Sequence, residues 1–262
     1  MKHILSILIL LLLPGFVTAE EYSSQEISVA GFIPLQGSGR QVYDFNPGWR
    51  FHKGDVANAG ALNFDDSSWA VVSTPHTVEL MPAEASGCRN YQGIAWYRKH
   101  FVAPKETAGK DVILHFEAIM GKQKFYVNGK LVKEHLGGYL PITISLTEAG
   151  VKAGDSCVVA VMTDNSDDKS YPPGKTQYTL DFAYHGGIYR DVWMIAKSPV
   201  AITDAIEAGK VAGGGVFVHF DRISEQSADV FVNTDVKNNG KQAKSVIVET
   251  TLTDANGNLV KK

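Results

Sequence analysis

Residues 111–136 read DVILHFEAIMGKQKFYVNGKLVKEHL. The first eight alternate, with Val112, Leu114 and Phe116 on one face at the two-residue period of a half-buried strand. Farther on, KFYV and KLVKEH flank Asn128-Gly129, the dipeptide that best supplies the two positive-φ residues of a tight hairpin. The same signals recur along the chain. SCVVAVMT (156–163) is an apolar run suited to a central sandwich strand. GIYRDVWMI (187–195) places Ile188, Val192 and Met194 on one face. GIAWYRKHFVA (93–103) sets Ile94, Trp96 and Arg98 against Ala95, Tyr97 and Lys99. Almost no segment of the mature chain has the 3.6-residue period of a helix. Short strands separated by long loops predict an all-β fold, a two-sheet sandwich of jelly-roll arrangement.

The chain has 262 residues, 44% of them hydrophobic, and a formal net charge of −3. That balance suits a globular core and carries no basic footprint for nucleic acid. Residues 1–19, MKHILSILILLLLPGFVTA, combine a basic start, an apolar run from Ile4 to Leu13, Pro14-Gly15 and a small-residue end. This pattern predicts a secretory signal cleaved after Ala19, and hence a periplasmic or secreted protein. The apolar run is too short for a membrane span, and no membrane partner is expected. Export permits a disulfide between Cys88 and Cys157. The favoured reading is two free thiols, with Cys157 a small buried hydrophobe, and the bridge stays open.

Two connections, 73–92 and 164–186, are far longer than ordinary β-loops, and long loops tend to bind. Tyr171, Tyr178, Phe182 and Tyr184 argue against disorder in the second. Pro199, in KSPVAIT, marks a boundary. The domains expected are a jelly-roll at 22–199 and, at 200–262, part of an immunoglobulin-like sandwich with three or four strands of about seven.

Five stretches together resemble glycoside hydrolase family 2, the β-galactosidase and β-glucuronidase family. They are NPGWRFHKGD (46–55), FDDSSWAVVSTPHT (64–77), GIAWYRKHF (93–101), FYVNGKLVKEHLGGYLPITISLT (125–147) and DFAYHGGIYRDVWMI (181–195). They occur in the family's order, and the likeness covers about Asp44 to Ile202. The resemblance implies a galactose-binding-like jelly-roll, an immunoglobulin-like domain and then a (β/α)8 barrel that holds both catalytic glutamates. No part of this sequence has alternating βαβα patterning. No catalytic residue is therefore assigned here, and the chain alone is expected to be inactive. The implied activity is retaining hydrolysis of terminal β-linked sugars, with β-galactosides foremost and glucuronides or mannosides as alternatives. The implied partners are a carbohydrate and the downstream barrel; homo-oligomer contacts stay open, and no cofactor is called for.

The resemblance makes Asp181 the first candidate for substrate binding, since the acid of the family's "DF…GI.R" segment reaches the barrel pocket and binds sugar hydroxyls. A carboxylate accepts two hydroxyls through charge-assisted bonds. The competing reading is an Asp that holds its own turn. Tyr184 and His185 are candidates for the pocket rim, against simple packing. Asp164, Asn165 and Asn90 are weaker candidates, with turn formation as the alternative. Arg190 and Asp191 are expected to pair structurally, as is Arg98. The eight histidines, His76 and His135 among them, show no metal-ligand spacing. Asp65-Asp66 and Asp167-Asp168 read as solvated turns. Trp96 and Trp193 read as core, and Trp69 as partly exposed. A stand-alone carbohydrate-binding module and a purely structural sandwich are the other functions the sequence admits.

Overall fold

A computed structural model describes residues 39–81 and 90–262. The predicted signal segment and Cys88 lie outside these residues. Ten strands build a sandwich: β1 (Gln41–Asp44), β2 (Trp49–Lys53), β3 (Ala70–Val72), β4 (Ile94–Val102), β5 (Asp111–Phe116), β6 (Lys122–Val127), β7 (Lys130–Leu136), β8 (Ile142–Ser145), β9 (Ser156–Asp164) and β10 (Val192–Lys197). One sheet has the order β1-β10-β5-β8 and the other β3-β2-β4-β9-β6-β7, with every ladder antiparallel. The all-β sandwich read from the sequence is what is found. β9, the apolar run SCVVAVMTD, is central, paired on both sides by β4 and β6. Asn128 and Gly129 take φ values of 49° and 82° in the β6–β7 turn, the pair of positive angles that dipeptide accommodates.

The core lies between the sheets. Leu114, Phe116, Val192 and Met194 meet Tyr97, Phe125, Val159 and Val161. Phe116 and Phe125 bridge the sheets with ring centroids 5.2 Å apart. Trp49 is fully buried and donates its indole N–H to the Phe45 carbonyl at 3.0 Å. Among the described residues, no helix is long and apolar enough to cross a membrane.

Residues 55–69 fold over the outer face of the six-stranded sheet, and this layer overturns two expectations. Trp69 is buried at 7% exposure, packed with Trp96, Ala59 and Ala160. Asp66 is likewise buried and not a solvated turn residue. Its Oδ2 accepts both Arg98 Nε and His100 Nε2 at 2.8 Å. The fully buried Arg98 guanidinium also reaches the carbonyls of Ala59 at 2.5 Å and Ala61 at 3.1 Å. Arg98 thus pairs structurally, as its place in the strand suggested.

The strand expected at 187–195 begins only at Val192. Before it, Gly187 makes an isolated bridge to Met120, and Asp191 accepts Asn46 Nδ2 at 2.9 Å. Arg190 stands exposed beside the Tyr189 ring. Cys157 is a buried free thiol.

Beyond Ser198, β11 (Val200–Ile202) pairs with β14 (Val236–Asn238), β12 (Val216–Asp221) with β13 (Asp229–Thr234), and β15 (Leu252–Thr253) with β16 (Leu259–Lys261). Val216, Val218 and Phe220 alternate along one face of β12 and are exposed. This region is fastened to the outer face of the four-stranded sheet by polar groups. Buried Lys197 sits between Asp111, at 3.6 Å, and Glu207. Asn239 donates to Asp111 at 2.8 Å, and His115 Nδ1 faces Asp204 at 3.3 Å.

The Asp66 environment yields a stability prediction. Burial pushes its carboxyl up, but hydrogen bonds from His100 and Arg98 and their charges outweigh this, so its pKa lies below the ordinary 3.8. A lowered carboxyl pKa adds stability that is present above the unfolded value and lost as pH falls through the folded one. Urea denaturation should therefore show an acid-dependent loss below about pH 4 that Asp66→Asn removes. Arg98→Met, which strands a buried carboxylate, should cost about 3–5 kcal/mol at pH 7.

Candidate functional site

One end of the sandwich gathers the segments 73–81, 90–93 and 164–191 around the start of β4 and the end of β9, where Ile94 faces Asp164. At the centre is the bend Gly186-Gly187. The Gly186 carbonyl accepts Val78 N–H at 3.0 Å, and the Ile188 carbonyl accepts His76 N–H at 2.7 Å. Gly187 has φ +96°, and a Cβ there would overlap the Tyr97 hydroxyl and approach the His76 carbonyl. A Cβ on Gly186 would overlap the Asn165 carboxamide. Both positions therefore require glycine. Tyr97 is fully buried and meets His76 Nδ1 at 2.9 Å. Burial raises the Tyr97 phenol pKa and lowers that of the His76 imidazole. The pair is thus held neutral and acts as a support.

Asn165, 2% exposed, has its carboxamide committed to backbone: Oδ1 accepts Gly93 N–H at 3.0 Å and Nδ2 donates to Tyr91 O at 2.8 Å. Asp164 accepts the Ser166 N–H at 2.9 Å and hydroxyl at 2.6 Å, which makes it the cap of its own turn. Tyr184 is buried, and its hydroxyl donates to Asp167 Oδ1 at 3.1 Å. Burial and the Asp167 charge raise its phenol pKa. The Tyr184 carbonyl accepts Asn90 Nδ2 at 3.1 Å and Gln177 Nε2 at 3.3 Å. His185 is exposed, with Nδ1 3.2 Å from the Thr77 hydroxyl.

Asp181 differs from all of these. It is exposed, and among the described residues its carboxylate has no hydrogen bond or ion pair. Tyr178 and Phe182, on the same loop, are 58% and 46% exposed. Neighbouring bonds hold the turn around Asp181: Thr179 N–H to the Thr176 carbonyl and Leu180 N–H to the Gln177 carbonyl, both at 3.0 Å. Of the six candidates, the structure brings Tyr184, Asn90 and Asn165 together beneath the loop and leaves Asp181 and His185 at its surface.

Sequence reasoning passed over the groups that support the site. Gln177 is buried, Gln92 bonds Asp167, and Asp168 pairs with Lys122 at 2.9 Å. Bonds from Ser170 and Lys122 lower the Asp168 pKa, and burial with the Asp168, Asp164 and Asp167 charges pushes Tyr171 up to about 12. The Asp167-Asp168 pair, expected as a solvated turn, is instead half-buried, because its partners reach it from other segments of the chain. Among the described residues, no group of three or more His, Cys, Asp or Glu is placed to hold a metal ion.

The model of the sugar-binding domain of glycosyl hydrolases family 2 matches residues 59–199. The chain belongs to glycoside hydrolase family 2. It is 33% identical, over 80% of its length, to a β-galactosidase of Thermoanaerobacter pseudethanolicus, of which it covers 27%. A β-glucuronidase of Formosa agariphila is 30% identical over 86% of the chain, which covers 24% of that protein. Among solved structures, Bacteroides uniformis β-glucuronidase 2 superposes with a TM-score of 0.66 at 31% identity, over 77% of this chain and 23% of that one. A candidate β-galactosidase of Bacteroides fragilis superposes with a TM-score of 0.71 at 32% identity, over 85% and 32%. The chain thus spans about a quarter of the length of the two sequence relatives. In the family 2 match, both glycines and Asn165 fall within the sugar-binding domain.

Gly187→Ala should destabilise the chain by about 2–3 kcal/mol in urea denaturation, through strain at positive φ and the clash with Tyr97. Adding Tyr97→Phe should recover part of that loss, because it removes the clashing oxygen. Fully additive losses would show that the close approach does not set the cost.

Proposed function

We propose that this chain is the N-terminal, non-catalytic flank of an exported retaining glycosidase acting on terminal β-linked sugars, with β-galactosides as the first substrate class and glucuronides as the second. The observation that carries the reading is Asp181: an exposed carboxylate without a partner among the described residues, on a loop whose surroundings are tied down. The relatives are β-galactosidases and β-glucuronidases, and the chain matches the sugar-binding domain.

Retaining hydrolysis uses one carboxylate as nucleophile and a second as acid/base. In this reading both come from a (β/α)8 barrel that follows in the same polypeptide. The sandwich supplies one wall of the pocket, and Asp181 accepts hydroxyls of the bound sugar. Two charge-assisted bonds from one carboxylate fix both position and orientation of a ring. His185, exposed beside the bend, lies on the same rim. Residues 1–19 direct export, which places the enzyme in the periplasm or outside the cell.

A free-standing carbohydrate-binding module is the second reading, favoured by the exposed rings of Tyr178 and Phe182, which could stack on a pyranose. Isothermal titration of the chain with galactose and glucuronate separates the two. The flank reading expects no millimolar binding by the chain alone, and the module reading expects it. In the protein joined to its catalytic domain, Asp181→Asn should lower kcat/KM about 10–100-fold, or about 1.4–2.7 kcal/mol. Unchanged kinetics in a folded variant would remove Asp181 from the substrate site.

A further inference from the structure

The carboxylate that fastens the loop is not the one on its tip. A single oxygen, Asp167 Oδ1, accepts Gln92 Nε2 at 2.9 Å, the Gln177 backbone N–H at 3.1 Å and the Tyr184 hydroxyl at 3.1 Å. These donors come from three places: the segment before β4, the 3-10 turn Gln177–Thr179, and the run into the glycine bend. Asp181 lies between Gln177 and Tyr184, so both feet of its tip are tied to the same atom. The two feet are buried and joined a second time, by Gln177 Nε2 to the Tyr184 carbonyl at 3.3 Å. Above them, Tyr178, Asp181 and Phe182 are exposed.

We propose that Asp167 is a positioning residue for the substrate site: it sets the height and orientation of Asp181 and acts on the sugar only through that tip. The proposal rests on the reading of Asp181 as a substrate contact. A loop with few buried contacts opens locally at little cost. Bonds to an ionised acceptor are stronger than neutral ones, and three of them on one atom close the opening route at both feet. The benefit to binding is geometric, since a displacement of about 1 Å at a positioned group can cost about 100-fold in rate.

Two measurements test this. Hydrogen exchange on the chain itself should show the amides from Gln177 to His185 exchanging at least about 10-fold faster in Asp167→Ala, with β4 and β9 unchanged. Asp167→Asn, which keeps an acceptor oxygen, should recover most of the protection. Equal exchange in Asp167→Ala and the parent overturns the proposal. In the protein joined to its catalytic domain, Asp167→Ala should lower kcat/KM about 10-fold in the parent and no further in an Asp181→Asn background. Equal losses in both backgrounds overturn the proposal alone, because Asp167 would then act apart from Asp181. A silent Asp181→Asn sinks the substrate reading itself, and with it the role assigned to Asp167.

Discussion

The bend at Gly186-Gly187 is possible only because two backbone carbons carry no side chain. Asn165 fills the space beside one and Tyr97 the space beside the other. That contact joins three things that are distant in sequence: the end of β9, the middle of β4 and the segment that enters β10. Once it forms, the carbonyls of Gly186 and Ile188 are placed to receive Val78 and His76 from the 73–81 segment. The long loops at this end are thereby held by backbone hydrogen bonds and a few buried polar side chains, where ordinary strands would use ladders. A bulkier residue at either glycine would press on Asn165 or Tyr97 and weaken the seat of the loop on the sandwich.

The rest of the fold repeats this economy on its outer surfaces. The inter-sheet core is mainly apolar, but the outer face of each sheet holds buried ionic groups. Asp66 with Arg98 and His100 fixes the 55–69 layer to the six-stranded sheet. Lys197 with Asp111 and Glu207 fixes the region after Ser198 to the four-stranded sheet. Such groups are weak contributors to net stability, since desolvation offsets most of the Coulomb gain. Their effect is directional. Apolar faces slide over one another at little cost, whereas a guanidinium that must reach the carbonyls of Ala59 and Ala61 accepts one register only.

Period-two alternation made the sandwich legible: Val112, Leu114 and Phe116 point where the pattern of 111–118 placed them. Alternation has no means to report a second layer without strands. Trp69 and Asp66 were therefore misread, because 55–69 is irregular and its partners, Trp96, Ala160 and Arg98, are on the far face of a sheet. The run 187–191 failed for a related reason. Its apolar and polar residues alternate as in a strand, but its backbone is bonded to loops, and glycine at φ +96° interrupts the ladder. At the site, Asp164, Asn165 and Asp167 are all polar residues after a strand. Whether each serves its own turn, a distant backbone or a neighbouring loop depends on connections a one-dimensional pattern does not contain. After Ser198 the sequence predicted three or four strands, where six short ones form three pairs, and alternation does not state which strand pairs with which.

The contrast between Asp167 and Asp181 follows from where each stands in the loop. An acid at the base of a loop meets donors from every segment that converges there, and its bonds lower the free energy of one loop conformation. The acid at the tip is exposed, and among the described residues its carboxylate accepts no hydrogen bond. Binding that uses such a group gains most when the group is already oriented, because the ordering entropy has been met during folding. The network on Asp167 Oδ1 therefore separates two tasks that a single carboxylate would perform poorly together: holding the chain, which Asp167 does, and the ligand contact proposed for Asp181.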